Sequence, residues 1–172
     1  INAVHYNTDL DQIVMSSRLQ NEIYIIDHST TTEEAASHVG GNSGKGGDFL
    51  YRWGNPENYH RGTFADQILE LPHGVNWIPT GYPGAGNLIL MNNLHEEPYA
   101  AILEINTPMD EAGNYILPDD EPYGPESWEW IYMDGFMVPL QGGAFRLPNG
   151  NTIITSTTDA EIFEVDMDGN KL

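Results

Sequence analysis

The sequence predicts an all-β protein of small antiparallel sheets arranged in series, and three observations predict it. Helical periodicity is nearly absent. Short runs of alternating or β-branched residues recur, each bounded by glycine, proline, asparagine or aspartate. Three of these stretches also look alike when stacked.

The three stretches are "DQIVMSSRLQNEIYIID" at 11–27, "GNLILMNNLHEEPYAAILEIN" at 86–106 and "GNTIITSTTDAEIFEVD" at 150–166. Each opens on a turn residue and Gln or Asn, runs through four apolar or β-branched residues, turns, and closes on an alternating run. The second carries a longer turn, around His95–Pro98. Strands are predicted over 12–16, 22–27, 87–91, 101–106, 152–156 and 161–166. "LPNGNTI" is a hairpin signal, because Asn-Gly readily takes positive φ. An apolar strand precedes each pair: "NAVHY", "GVNWI" and "GGAFRL". A tryptophan-bearing strand follows the first two: "FLYRWG" at 49–54 and "SWEWIYM" at 127–133. Alternation points Ile13, Met15, Ile23, Ile25, Leu88, Leu90, Ile102, Ile153, Ile162 and Val165 inward.

Four short antiparallel strands per unit, repeated, are the pattern of a β-propeller. The units are about 1–54, 73–133 and 142–172, with 54–72 as an inter-blade connection. "TTTEEAASHVG" at 30–40 reads as one or two helical turns, capped by threonine and stopped by Gly40. The third unit reaches "GNKL" before its fourth strand. Propellers close with about four to eight blades, and an open arc leaves strand edges exposed. The expectation is a three-blade portion, completed by a longer chain or by another one. A three-sheet prism or a sandwich of the same strands is the alternative.

Composition excludes several functions. Six Lys and Arg stand against 26 Asp and Glu, a formal net charge of −20. Phosphate backbones and anionic membranes require clustered cations, so nucleic-acid partners and anionic lipid surfaces are not expected. No run approaches the roughly eighteen apolar residues that span a bilayer. Cysteine is absent, which removes disulfides, thiolate metal sites and thiol catalysis. The start, "INAVHYNTDLDQ", has no basic region leading an apolar stretch, so a cytosolic protein or a mature or trimmed piece is expected.

"NAVHYNTDLDQIVMSSRLQNEIYIID", "FLYRWGNP", "LPHGVNWIP…GNLILMNN" and "GGAFRLPNGNTIITSTTDAEIFEVDMDGN" resemble the bacterial arylsulfate sulfotransferases. The resemblance covers most of the chain, in order, and "SSR…NEI…ID" and "RLPNGNT…IFEVD.DG" are its more specific parts. It implies a six-bladed propeller in the periplasm or outside the cell. It implies sulfuryl transfer from an aryl sulfate to a phenol through a sulfated histidine, with no nucleotide sulfate donor and no cofactor. Arg18 of "SSR" matches the family's sulfate-binding arginine, and His73 of "LPHGVNW" matches the histidine that takes the sulfuryl group. The family has a further histidine directly before the "xNAV" stretch and another in an earlier blade; neither lies in this sequence, and His5 is not a substitute.

As a nucleophile, His73 needs one unprotonated nitrogen beside a cation that binds the sulfate oxygens. The competing reading is a loop histidine bonded to a neighbouring carbonyl. Arg18 suits a planar grip on sulfate oxygens; the competing reading is an ion pair with Glu22. Tyr6 and Trp77, on the inner strands, are expected to pack the phenol ring. His28, His38, His60 and His95 fall in turns or connections. No metal site is expected, since no pair has metal-ligand spacing. "GGNSGKGG" at 40–47 lacks the Ser or Thr that follows lysine in a phosphate loop. "DMDGN", "NTDLD" and "DDEP" read as acidic turns rather than calcium loops. The alternative function is a non-catalytic secreted or surface propeller used for binding or assembly.

Overall fold

The computed structural model describes all 172 residues. Eleven strands form three antiparallel sheets, each with its strands in sequence order. The first sheet holds β1 (Ala3–Asn7), β2 (Gln12–Ser17), β3 (Glu22–Asp27) and β4 (Tyr51–Trp53). The middle sheet holds β5 (Pro72–Trp77), β6 (Leu88–Glu96), β7 (Tyr99–Ile105) and β8 (Trp130–Tyr132). The third holds β9 (Gly143–Arg146), β10 (Thr152–Ser156) and β11 (Glu161–Val165). The sheets form an open series, without a closed barrel or ring.

Tight hairpins follow from the turn residues, and Asn21 and Ala160 both take positive φ between paired strands. One helical turn, α1 (Thr32–Ala35), stands in the β3–β4 connection. Thr31 and Glu34 cap it reciprocally. The connection from 54 to 72 carries two short 3₁₀ turns, Pro56–Tyr59 and Phe64–Asp66. The longer turn of the middle sheet is shorter than expected. β6 runs on to Glu96 and β7 starts at Tyr99, so His95 sits in a strand, half-buried with its ring 5.0 Å from that of Trp128.

The first strands of the sheets lie side by side. Asn2 donates to the Pro72 carbonyl at 2.8 Å, and Asn76 to the Ala144 carbonyl at 2.9 Å. Gly74 makes the second approach possible, because a Cβ there would sit 2.9 Å from the Cα of Gly143.

The middle sheet is buried on both faces, and its residues divide by parity. Leu88, Leu90, Ala101 and Leu103 pack toward the first sheet, against Val14, Ile23, Ile25 and Trp53. Ile89, Met91, Ala100 and Ile102 pack toward the third, against Ala144, Ile154, Phe163 and Val165. Each flanking sheet packs one face against the middle sheet, and the first also buries Glu22 and Tyr24 on its outer face under Phe49 and Arg52. This corrects four expected core positions. Ile13, Met15 and Ile153 are half-buried and Ile162 is 67 % exposed. They lie on the outer faces, while Val14 and Ile154 take the inward positions. The aliphatic whose truncation removes about 2–5 kcal/mol is therefore Ile154 rather than Ile153. Ile23, Ile25, Leu88, Leu90, Ile102 and Val165 are buried as expected.

Two buried ion pairs fix the sheets. Arg146 reaches from the third sheet to Glu104 in the middle one, beneath the Trp130 ring. Arg52 grips Glu22 with two bonds, at 3.0 and 2.8 Å, within the first sheet. Removing one partner of such a pair leaves an uncompensated buried charge.

Candidate functional site

His73 enters β5 from a strained turn. Leu71 has φ of 56°, a left-handed conformation that branched side chains rarely adopt. Its amide donates to Asn21 Oδ1 at 2.9 Å, and its carbonyl lies 3.1 Å from His73 Nδ1. Just after His73, β5 carries one extra residue relative to β6. His73 pairs with Met91 but Asn76 with Ile89, and Gly74 at φ 66° absorbs the bulge. The histidine is thus held between a strained residue and a bulge, and only 7 % of it is exposed.

The tautomer of His73 follows from its neighbours. Asn93 is fully buried, and its amide nitrogen donates to the carbonyls of Val138 and Gln141. With those protons committed, Asn93 turns its oxygen to His73 Nδ1 at 2.7 Å. Nδ1 lies between two acceptors, Asn93 Oδ1 and the Leu71 carbonyl, so Nδ1 carries the proton. In the neutral ring the lone pair is then on Nε2. That nitrogen makes no hydrogen bond within the protein, and it is not among the unpaired side-chain atoms sealed from solvent. The neighbouring carbonyl of the competing reading is present, at Nδ1, and Nε2 is left without a protein partner.

Arg18 follows directly on β2, at the same end of the sheets. No carboxylate lies within 4.0 Å of it; its expected partner, Glu22, is taken by Arg52. Of the six cations, only Arg18 and Lys45 lack an ion pair. The Arg18 guanidinium makes one long contact, Nη2 to the Pro139 carbonyl at 3.4 Å, and its Nε is buried without a partner.

His73, through Asn93, and Arg18 are each tied to one segment. Four consecutive carbonyls, 138–141, are each taken by a side chain. Asn93 of the middle sheet holds Val138 and Gln141, Arg18 of the first sheet reaches Pro139, and Thr157 beside the third holds Leu140 at 2.5 Å. All three sheets therefore converge on this loop at the end where β5 and β9 begin.

Tyr6 and Trp77 lie elsewhere. They line a cleft of about 310 Å³ with His5, Asp9 and Thr80, at the far ends of β1 and β5. Trp77 lies four positions beyond His73 along β5, a span of about 13 Å. The structure does not bring this pair to His73. The Tyr6 hydroxyl is committed to Asp11 at 2.8 Å, and the Trp77 indole nitrogen is buried without a partner. Burial holds the pKa of His5 below that of an ordinary histidine, which favours the neutral ring, and its Nδ1 lies 3.4 Å from the Trp77 amide.

The remaining expected turns are placed as follows. Ser43 of the glycine-rich loop donates its amide and hydroxyl to Asp27, so this loop is tied to the first sheet. Burial alone would raise the Asp27 carboxyl. The bonds from Ser29 and Ser43 outweigh it and hold the pKa at about 2. Asp166 of "DMDGN" accepts from Asn170 within its own turn.

Sequence reasoning missed Asn93. A signal was available: the apolar run of each second strand is followed by a pair of small polar residues, Ser16–Ser17, Asn92–Asn93 and Ser156–Thr157. Five of these six are buried. Polar pairs buried at one repeated position mark an end of the sheets where hydrogen bonds, not packing, decide identity.

No protein-family model matches the chain, and no curated protein matches it.

Proposed function

We propose that this chain is part of a β-propeller of the arylsulfate sulfotransferase kind, and that it moves a sulfuryl group from an aryl sulfate to a phenol through His73. One observation carries the reading. His73 has Nδ1 engaged by Asn93 and Leu71 and Nε2 without a protein partner, at the sheet end that also bears a cation without a carboxylate. The serial sheets with adjacent first strands support the propeller part of the reading. Its remaining blades come from a longer chain or another one. A periplasmic or extracellular location belongs to the same reading.

In the first step the Nε2 lone pair attacks sulfur. The sulfur–oxygen bond to the aryl group breaks, and the phenolate leaves. Arg18 grips the sulfonate oxygens, where charge concentrates as the sulfuryl group passes between atoms. Asn93 accepts the Nδ1 proton's hydrogen bond throughout, and so stabilises the ring as it becomes cationic. In the second step the acceptor phenol gives its proton to solvent water, its oxygen attacks sulfur, the sulfur–nitrogen bond breaks with its electron pair returning to Nε2, and His73 returns to its starting state. The covalent histidine divides one hard transfer into two easier ones. Neither step needs a nucleotide, a metal or another cofactor.

The test is transfer from nitrophenyl sulfate to phenol by the protein. His73→Ala, checked as folded by circular dichroism, is expected to abolish it. Full transfer by that variant would overturn the reading and leave a binding or assembly role.

A further inference from the structure

We propose that the groove between the 54–72 connection and the β7–β8 connection binds a small organic cation, an ammonium head on an apolar or aromatic body. The groove holds about 420 Å³, a volume that suits one small molecule. Pro56, Tyr59 and Ile68 line one side, and Ile116, Pro118 and Pro122 the other.

Three hydrogen bonds lock the two sides together. The Trp53 indole donates to the Pro125 carbonyl at 2.8 Å, and the Tyr51 hydroxyl to the Gly124 carbonyl at 2.6 Å. The Tyr123 amide donates to the Tyr59 hydroxyl at 3.3 Å. Proline rings leave little backbone freedom for a ligand to freeze. The groove is therefore largely formed before a ligand arrives, and its apolar lining rewards an apolar body. Ile116 keeps 43 % of its surface exposed.

The charged lining has one sign. Asp66, Glu121 and Glu126 line the groove, and no lysine or arginine does. The two nearby arginines are occupied. Arg52 is held by Glu22 and lies over the Tyr59 ring, and Arg61 is 3.8 Å from Asp120. Asp66 accepts from the Thr63 amide and hydroxyl. Glu121 and Glu126 make no ion pair. A cationic head on a body seated here meets two free carboxylates, whereas an anionic head meets three groups of its own charge. The site uses none of the residues around His73, so it stands or falls separately from the transfer chemistry.

Isothermal titration of the chain with phenethylammonium chloride, in about 0.05 and 0.5 M sodium chloride, tests this. Two comparators divide the ligand: methylammonium is the head alone, and phenylpropionate is the body with the opposite charge. Saturable one-to-one binding of phenethylammonium is expected, weaker at high salt, with saturable binding of neither comparator. Glu121→Gln combined with Glu126→Gln should weaken binding roughly five- to tenfold. Glu33→Gln combined with Glu111→Gln removes the same charge at exposed positions outside the groove and should leave binding unchanged. Ile116→Ala should weaken it about threefold or more, through lost contact with the body. All five positions are exposed, so folding is retained, and circular dichroism checks it. Absence of saturable binding would overturn the proposal. So would equal binding of either comparator, or equal loss in the two glutamine pairs. A groove that takes a lysine-bearing peptide but not phenethylammonium would overturn it as well.

Discussion

The two ends of β5 carry opposite kinds of site. At its start, His73 has every hydrogen-bonding group assigned except Nε2, and an unpaired arginine stands on the neighbouring sheet. At its end, Trp77 lines an open aromatic cleft in which its own indole nitrogen has no partner. The same strand thus passes from a polar, fully specified environment to a roomier one that specifies little. The difference teaches how one imidazole nitrogen is singled out. Neighbours that engage the other nitrogen fix the ring and leave Nε2 without a protein partner.

The comparison sharpens with variants at either end. The largest effect after loss of His73 itself belongs to Arg18. Arg18→Ala should lower kcat/KM for an aryl sulfate by about a hundredfold or more, the usual cost of losing a charged donor to a developing anion. Arg18→Lys should recover only part, since an ammonium lacks the planar fork. Asn93→Ala should cost about 10–100-fold, as expected of a residue that orients the reacting one. That loss should appear in kcat with KM nearly unchanged, because Asn93 does not touch substrate. The smallest effect lies at the far end. Tyr6→Phe and Trp77→Phe should leave transfer within about twofold, if the His73 end acts alone. A large loss there would break the comparison and restore these aromatics to the phenol's path.

Much of this architecture was legible because period-two alternation and turn residues are local properties. The spans 22–27 and 152–156 match β3 and β10, and each of the three look-alike stretches became a hairpin of the second and third strands of its sheet. What was not legible depended on neighbours far away in sequence. In β2, Ile13 and Met15 are the more apolar set, yet Val14 and Ser16 face inward because the middle sheet lies on that side. Alternation supplies two faces and does not say which one another sheet will cover. The same holds at the site. His73 stood out by its Pro–Gly frame, but the role of Asn93 depends on carbonyls 45 and 48 residues further on. The Arg18–Glu22 pairing failed for a like reason, since Arg52 comes in from β4 to claim the carboxylate.

The central claim is that His73 Nε2 becomes covalently sulfated. The most direct measurement mixes the protein with nitrophenyl sulfate and no acceptor, quenches it in alkali, and maps the added mass by peptide mass spectrometry. The account predicts one acid-labile sulfuryl group on His73, removed when phenol is added before the quench. Released nitrophenol with no adduct on His73, or an adduct on another residue, would contradict it.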